Sequence, residues 1–267
     1  MGQESDWCSE YGMSGDSWKA GPLCSGCTRT RCWRAKTLET STLVKNTQWD
    51  LTPKEAVKLQ ERLRGKARIE DDFGEVQLVA GVDVAIGRGW KQGKCGIVVL
   101  ALDCLEVVET KTCTRDVTFP YVPGLLAFRE APIFLDTYAL LETEPDLLFF
   151  DGHGLAHPRR FGLACHAGVL IDKPSIGCAK SKLVGDYEEP GVEAGGRSAL
   201  LSADGERMGD VLRTKAGVKP VFISPGHRVS FDTACRMATK CAAGYRIPQP
   251  TRLAHMLVSG TGINQVS

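Results

Sequence analysis

The chain has 267 residues, with 33 Lys and Arg against 32 Asp and Glu, a net charge of +1. A content of 43% hydrophobic and 24% charged residues excludes disorder over the whole length and allows one large domain or two small ones. The balanced charge excludes a global positive field, so a nucleic-acid partner has to be held by local basic groups. No run of about 18 apolar residues occurs to span a bilayer. The start, MGQESDWCSE, has neither the basic stretch nor the apolar core of a secretory signal. Eleven cysteines is an odd number. Cys95, Cys104, Cys113, Cys165, Cys178, Cys235 and Cys241 lie in apolar or periodic segments, the usage of free thiols in a reducing compartment. The reading is a cytoplasmic chain without a disulfide framework.

Residues 1–46 are rich in Ser, Thr, Gly, Cys and Trp, without a sustained period. Cys8, Cys24, Cys27 and Cys32 offer one tight pair where a zinc knuckle needs two, so the segment reads as a poorly ordered extension. Asp50 or Thr52 can cap a helix with Pro53 in its first turn and Ala56, Val57, Leu59 and Leu63 at helical spacing. Three strand-like runs follow, Val76–Asp83, Cys95–Asp103 and Leu105–Thr114, with a tight turn near Cys104. Strands in succession predict an antiparallel meander. Phe119–Gly124, with two prolines, reads as a rigid hairpin tip.

Pro132 suits the first turn of a helix running to Glu142. Asp146–Phe150 predicts a buried strand ending at Asp151. A helix over Phe161–Leu170 and a strand over Pro174–Ala179 extend an alternation that implies parallel pairing. The polar, Gly-rich stretch 185–210 reads as a surface loop. Val218–Ile223 predicts another strand. Ser230 caps a helix with a stripe of Phe231, Ala234, Cys235, Ala238 and Cys241, and Pro250 opens a last helix carrying Arg252 and His255. Three antiparallel strands, then parallel strands with flanking helices, is the element order of an α/β ribonuclease H-like mixed sheet.

Asp83 and Asp151 each follow an apolar strand. Two carboxylates meeting in one crevice repel unless a cation lies between them, and oxygen ligands favour Mg²⁺ or Mn²⁺. The bland alternative is that each acid caps a turn. Glu130, in LLAFREAP, is either a solvated helix-entry acid or a third member of the cluster. His255 is either a metal-side or proton-transfer group or a packed side chain. Gly152 and Gly154 in DGHG let backbone approach a ligand, yet no dinucleotide or Walker fingerprint is present. His157, Arg159 and Arg160 can hold phosphates or decorate a helix start. Tyr121 on its rigid tip can be pushed between bases, or pack on a neighbouring loop.

The strings GVDVA, PYVPG, FRE, DGHG-x2-HPRRFG, PSIGCAKSKL, SPGHRVS and YRIPQPTRLAH, in this order over about residues 47–260, resemble the endonuclease V family. The resemblance implies a ribonuclease H-like catalytic domain over 47–262, with 1–46 an extension and 263–267 a tail. It implies Mg²⁺-dependent hydrolysis, with Mn²⁺ able to substitute, of DNA containing deoxyinosine. The cut falls at the second phosphodiester 3′ to the lesion and leaves 3′-hydroxyl and 5′-phosphate ends. Inosine-containing RNA is the alternative substrate, and a catalytically silent nucleic-acid binder the alternative class. By the same resemblance Asp83, Asp151 and Glu130 serve the metal. Lys180 lies near the scissile phosphate, and His255 takes a last-helix position where many members carry Asp. Tyr121 is the wedge, and Gly124, Gly152, Gly154, His157 and Ala179 build the hypoxanthine pocket. A monomer without membrane association is expected.

Overall fold

The computed structural model describes residues 18–20, 32–34, 49–87, 89 and 91–261. Two short strands, β1 (Trp18–Ala20) and β2 (Cys32–Arg34), pair antiparallel. The expectations of a disordered extension and of a cysteine metal knuckle otherwise fall outside the described residues.

The remaining elements are α1 (Pro53–Arg64), β3 (Leu78–Ile86), β4 (Gln92–Ala101), β5 (Val107–Asp116), α2 (Ala127–Ala139) and β6 (Leu147–Phe150). There follow α3 (Leu163–Ile171), β7 (Ser175–Ala179), β8 (Arg197–Leu201), β9 (Arg207–Leu212), β10 (Val221–His227), α4 (Phe231–Ala242) and α5 (Gln249–Ser259). Eight strands form one mixed sheet in the order β5-β4-β3-β6-β7-β10-β9-β8. The meander β3-β4-β5 is antiparallel, and β3-β6-β7 is parallel.

Strand alternation explains why the central strands are apolar on both faces. Val79, Leu147 and Phe149 point to one face and pack with Ala234 and Ala238 of α4 and Leu253 and Ala254 of α5. Leu78, Ala80, Val82, Leu148 and Phe150 point to the other and pack with Ile133 and Phe134 of α2 and Ala164 and Ala167 of α3. The result is a three-layer sandwich, with α1 laid outside α3 through Leu63, Phe161, Cys165 and Val169.

Four expectations are corrected. The stretch 185–210 is not a loop throughout, because β8 and β9 form an antiparallel hairpin on the sheet edge. Its polar composition reflects that edge, where Arg197, Ala199 and Leu201 are exposed. β10 runs antiparallel to β7, since the β8–β9 excursion replaces the helical crossover a parallel return needs. α2 begins at Ala127, so Pro132 lies inside it and not at its start. Phe119–Gly124 is no hairpin tip: it lies on the connection between β5 and α2.

Candidate active site

Asp83 does not end its strand, because β3 runs on to Ile86 against β4. It sits where β3 outruns β6. Val82 is in register with Phe150, and the Asp151 backbone N–H donates to the Val82 carbonyl at 3.0 Å. Parallel register therefore sets the two acids side by side. Both share the strand parity of Val79, Leu147 and Phe149, which is the face that α5 covers. α5 comes in close because Gly81 has no side chain: a Cβ there would run into the backbone of Pro250 at the start of α5. That approach brings the His255 Nδ1 to 2.8 Å from Asp83 Oδ2.

Asp83, Asp151 and His255 each offer a ligand atom, all within 4.8 Å of one another. Two hard oxygens and one imidazole suit a divalent first-row cation or Mg²⁺. Lys180, just past the end of β7, reaches Asp151 Oδ2 at 2.5 Å. Burial raises the Asp151 carboxyl above its ordinary range and the Asp83 charge adds to this, while Lys180 offsets part of the rise.

Glu130 lies outside that three-atom set. It projects from α2 and is 7% exposed. Burial pushes its pKa well up, and the charges of Asp83 and Asp151 push it further, with Arg129 opposing.

The other expected residues divide. Tyr121 stands 59% exposed, with the Arg129 guanidinium carbon 5.9 Å from its ring centroid. The Gly154 N–H donates to Ser224 Oγ at 2.8 Å, which fixes the DGHG turn against β10. His157 Nδ1 accepts from the Arg159 N–H at 3.2 Å, so the hydrogen-bond network assigns Nε2–H as donor to the Gly124 carbonyl at 3.1 Å. Burial, aided by the Arg159 charge, lowers the His157 pKa to about 4, so the ring is neutral at pH 7. Ala179 is buried against Ala156, Leu200 and Met208. Arg159 and Arg160 are not open phosphate anchors. Arg159 grips Gln60 Oε1 and the Gly124 carbonyl, and Arg160 pairs with Glu206 at 2.7 Å.

Three residues near the site escaped the sequence reading. Arg246 donates to the Lys180 carbonyl at 2.8 Å and so steadies the lysine from its backbone. Ser224 receives the Gly154 N–H. Gln60 is an amide on the buried stripe of α1, one turn after Ala56. That last feature was a readable signal, since an amide on an apolar stripe needs buried partners.

A family model for endonuclease V matches residues 59–256. The chain belongs to the endonuclease V family. It is 47% identical over 209 residues to the endonuclease V of Kosmotoga olearia, covering 78% of this chain and 92% of that protein. The endonuclease V structure from Streptomyces avermitilis superposes with a TM-score of 0.76 at 42% identity, over 82% of this chain and 96% of that one. An endonuclease V from Ciona intestinalis, solved with a 24mer DNA containing an inosine followed by a ribo-adenosine, superposes with a TM-score of 0.70. It is 30% identical, over 80% of this chain and 98% of that one. The family makes the chain a nuclease, and its mixed α/β fold is that of the endonuclease V structures. Among the described residues no helix is long and apolar enough to cross a membrane.

Proposed function

We propose that this endonuclease V is a DNA-repair nuclease that recognises deoxyinosine and hydrolyses the second phosphodiester on its 3′ side. The products are a 3′-hydroxyl and a 5′-phosphate. The observation that carries the reading is the convergence of Asp83, Asp151 and His255 on one point beside Lys180. The inosine in the DNA of the Ciona relative supports the substrate class.

Asp83, Asp151 and His255 would hold a divalent cation, Mg²⁺ with Mn²⁺ as substitute. Such a cation, when bound, supplies a Lewis acid for the phosphate. Glu130, whose pKa burial and then the charges of its acidic neighbours push up, would orient or relay a proton for the leaving oxygen. Lys180 places positive charge where the phosphate gathers negative charge. Tyr121, exposed on the β5–α2 connection, is the wedge for the gap left by an extruded base. Gly124, Gly152, Gly154, His157 and Ala179 frame the base slot, and neutral His157 avoids placing a charge beside an uncharged purine edge. The catalytic domain covers 47–262, the protein acts as a cytoplasmic monomer, and the intact acids argue against a silent binder.

The test is incubation of wild type and Asp151→Ala with one inosine in single-stranded DNA, duplex DNA and RNA, with and without Mg²⁺, mapping the cut. Asp151→Ala abolishes nicking and keeps affinity for the inosine strand. Nicking by Asp151→Ala at a wild-type rate overturns the site, and a cut in RNA alone overturns the DNA reading. Tyr121→Ala lowers the preference for inosine over adenosine before it lowers the chemical rate, measured as the ratio of kcat/KM values.

A further inference from the structure

Three donors converge on one carbonyl oxygen. The Gly124 carbonyl accepts from Arg159 Nη2 at 2.6 Å, His157 Nε2 at 3.1 Å and Gln60 Nε2 at 3.3 Å. The donors are themselves tied together. Gln60 Oε1 accepts from Arg159 Nε at 2.5 Å, and Gln60 Nε2 donates to the Phe161 carbonyl at 2.7 Å. Gln60 is 1% exposed, and these partners meet both N–H groups and the oxygen of its amide.

The acceptor belongs to the segment that carries Tyr121. Between β5 and α2 the backbone has few ties: the Val117 N–H reaches the Lys91 carbonyl at 2.7 Å, and the Leu125 N–H closes a turn onto Val122. Phe119 and Leu125 anchor the two ends of the segment in a small cluster with Ala56 and Phe128. Between those anchors the Gly124 carbonyl is a point where three side-chain donors hold the loop. Gly124 has φ +78°, and a Cβ would approach Arg159 Nη2 at 2.7 Å, so the guanidinium lies against the bare glycine backbone.

We infer that Gln60, from a helix outside the sheet, is a positioning residue for inosine discrimination: with Arg159 it locks the Gly124 carbonyl and so fixes where Tyr121 stands. The inference rests on the functional reading above. Arg159 has two jobs at once, Nε on the amide and Nη2 on the carbonyl, and Gln60 sets the plane of its fork. Without the amide the guanidinium loses the partner that orients its Nε, and the Gly124 carbonyl loses one of its three donors and the fixed aim of a second. A wedge is needed to fill a gap in a stacked duplex. A single strand, already unstacked, asks much less of it. Loss of the clamp therefore penalises duplex substrate selectively.

The experiment compares wild type, Gln60→Met and Leu63→Ala. Gln60→Met keeps the volume and loses the hydrogen bonds. Leu63→Ala weakens the same helix at a buried position whose side chain makes none of the clamp's hydrogen bonds. Steady-state kinetics use one inosine in a duplex and in a single strand. Thermal unfolding controls for stability. For Gln60→Met the expected result is a fall of about tenfold in kcat/KM on duplex, carried mainly by KM, with the single strand within about twofold of wild type. Leu63→Ala lowers the melting temperature and leaves the duplex-to-single-strand ratio at the wild-type value. Equal effects of Gln60→Met on both substrates, or none on either, overturn the clamp while the functional reading stands. A wild-type chain that does not prefer inosine to adenosine overturns the functional reading, and the clamp with it.

Discussion

His166 is enclosed by aromatic rings. Trp49 stacks on it at 5.9 Å between centroids, Phe128 meets it edge-on at 5.0 Å, and Phe161 lies at 5.5 Å. Neither ring nitrogen has a hydrogen-bond partner among the described residues, and burial lowers its pKa to about 3. An imidazole here acts as an aromatic disc. Replacing it with a hydrocarbon ring removes no hydrogen bond and ends the cost of burying two polar atoms. The expected outcome is that His166→Phe folds and melts at or above the wild-type temperature at pH 7, read by circular dichroism. Lys180 is the contrasting residue, because its ammonium lies at the candidate centre. Lys180→Met should cut the turnover of inosine DNA by about a hundredfold while changing stability little.

At the scale of elements, helix α1 opens on a reciprocal cap. The Thr52 N–H donates to Glu55 Oε2 at 2.8 Å, and Thr52 Oγ1 accepts from the Glu55 N–H at 3.4 Å. Thr52→Ala should cost about 1 kcal/mol, a fall of about 2–4 °C in melting temperature by calorimetry. The Thr52–Pro53 start was legible because a cap is a local rule written in adjacent residues. So were β3, β4 and β6, whose apolar runs demand burial on both faces. The β8–β9 hairpin was not legible: an edge strand keeps polar residues on its open side, so Arg197 and Ser198 read as loop. The direction of β10 was hidden for a related reason, since orientation follows from the connection before it. For the candidate site, the two acids and His255 could be named from their strings. That the histidine joins the aspartates, with Glu130 standing behind, depends on α5 crossing Gly81, a contact between segments far apart in sequence.

Considered as a whole molecule, the fold is made sensitive to acid by its buried imidazoles. His157 is held at about 4 and His166 at about 3, both below the ordinary value of about 6.5. Above pH 6.5 the rings are neutral in both folded and unfolded chains, and the stability they permit is fully present. As pH falls below that point the unfolded chain takes up protons that the folded chain refuses. Stability then declines toward pH 4 for both groups, and on to about pH 3 for His166. Each ring contributes a slope of about 1.4 kcal/mol per pH unit over its window. Denaturant titrations at pH 7, 6 and 5 should show this decline, and His166→Phe should flatten it by one proton's worth. A slope unchanged in that variant would mean that the ring is already protonated when folded.

The docking of α5 on Gly81 also has a consequence in time. The three donor atoms come from an early strand, a middle strand end and the final described helix. A nascent chain on the ribosome thus carries the aspartates long before the imidazole arrives, and its donor triad is finished only when that closing helix seats itself. The candidate site is in this way completed only once the rest of the sheet has been built.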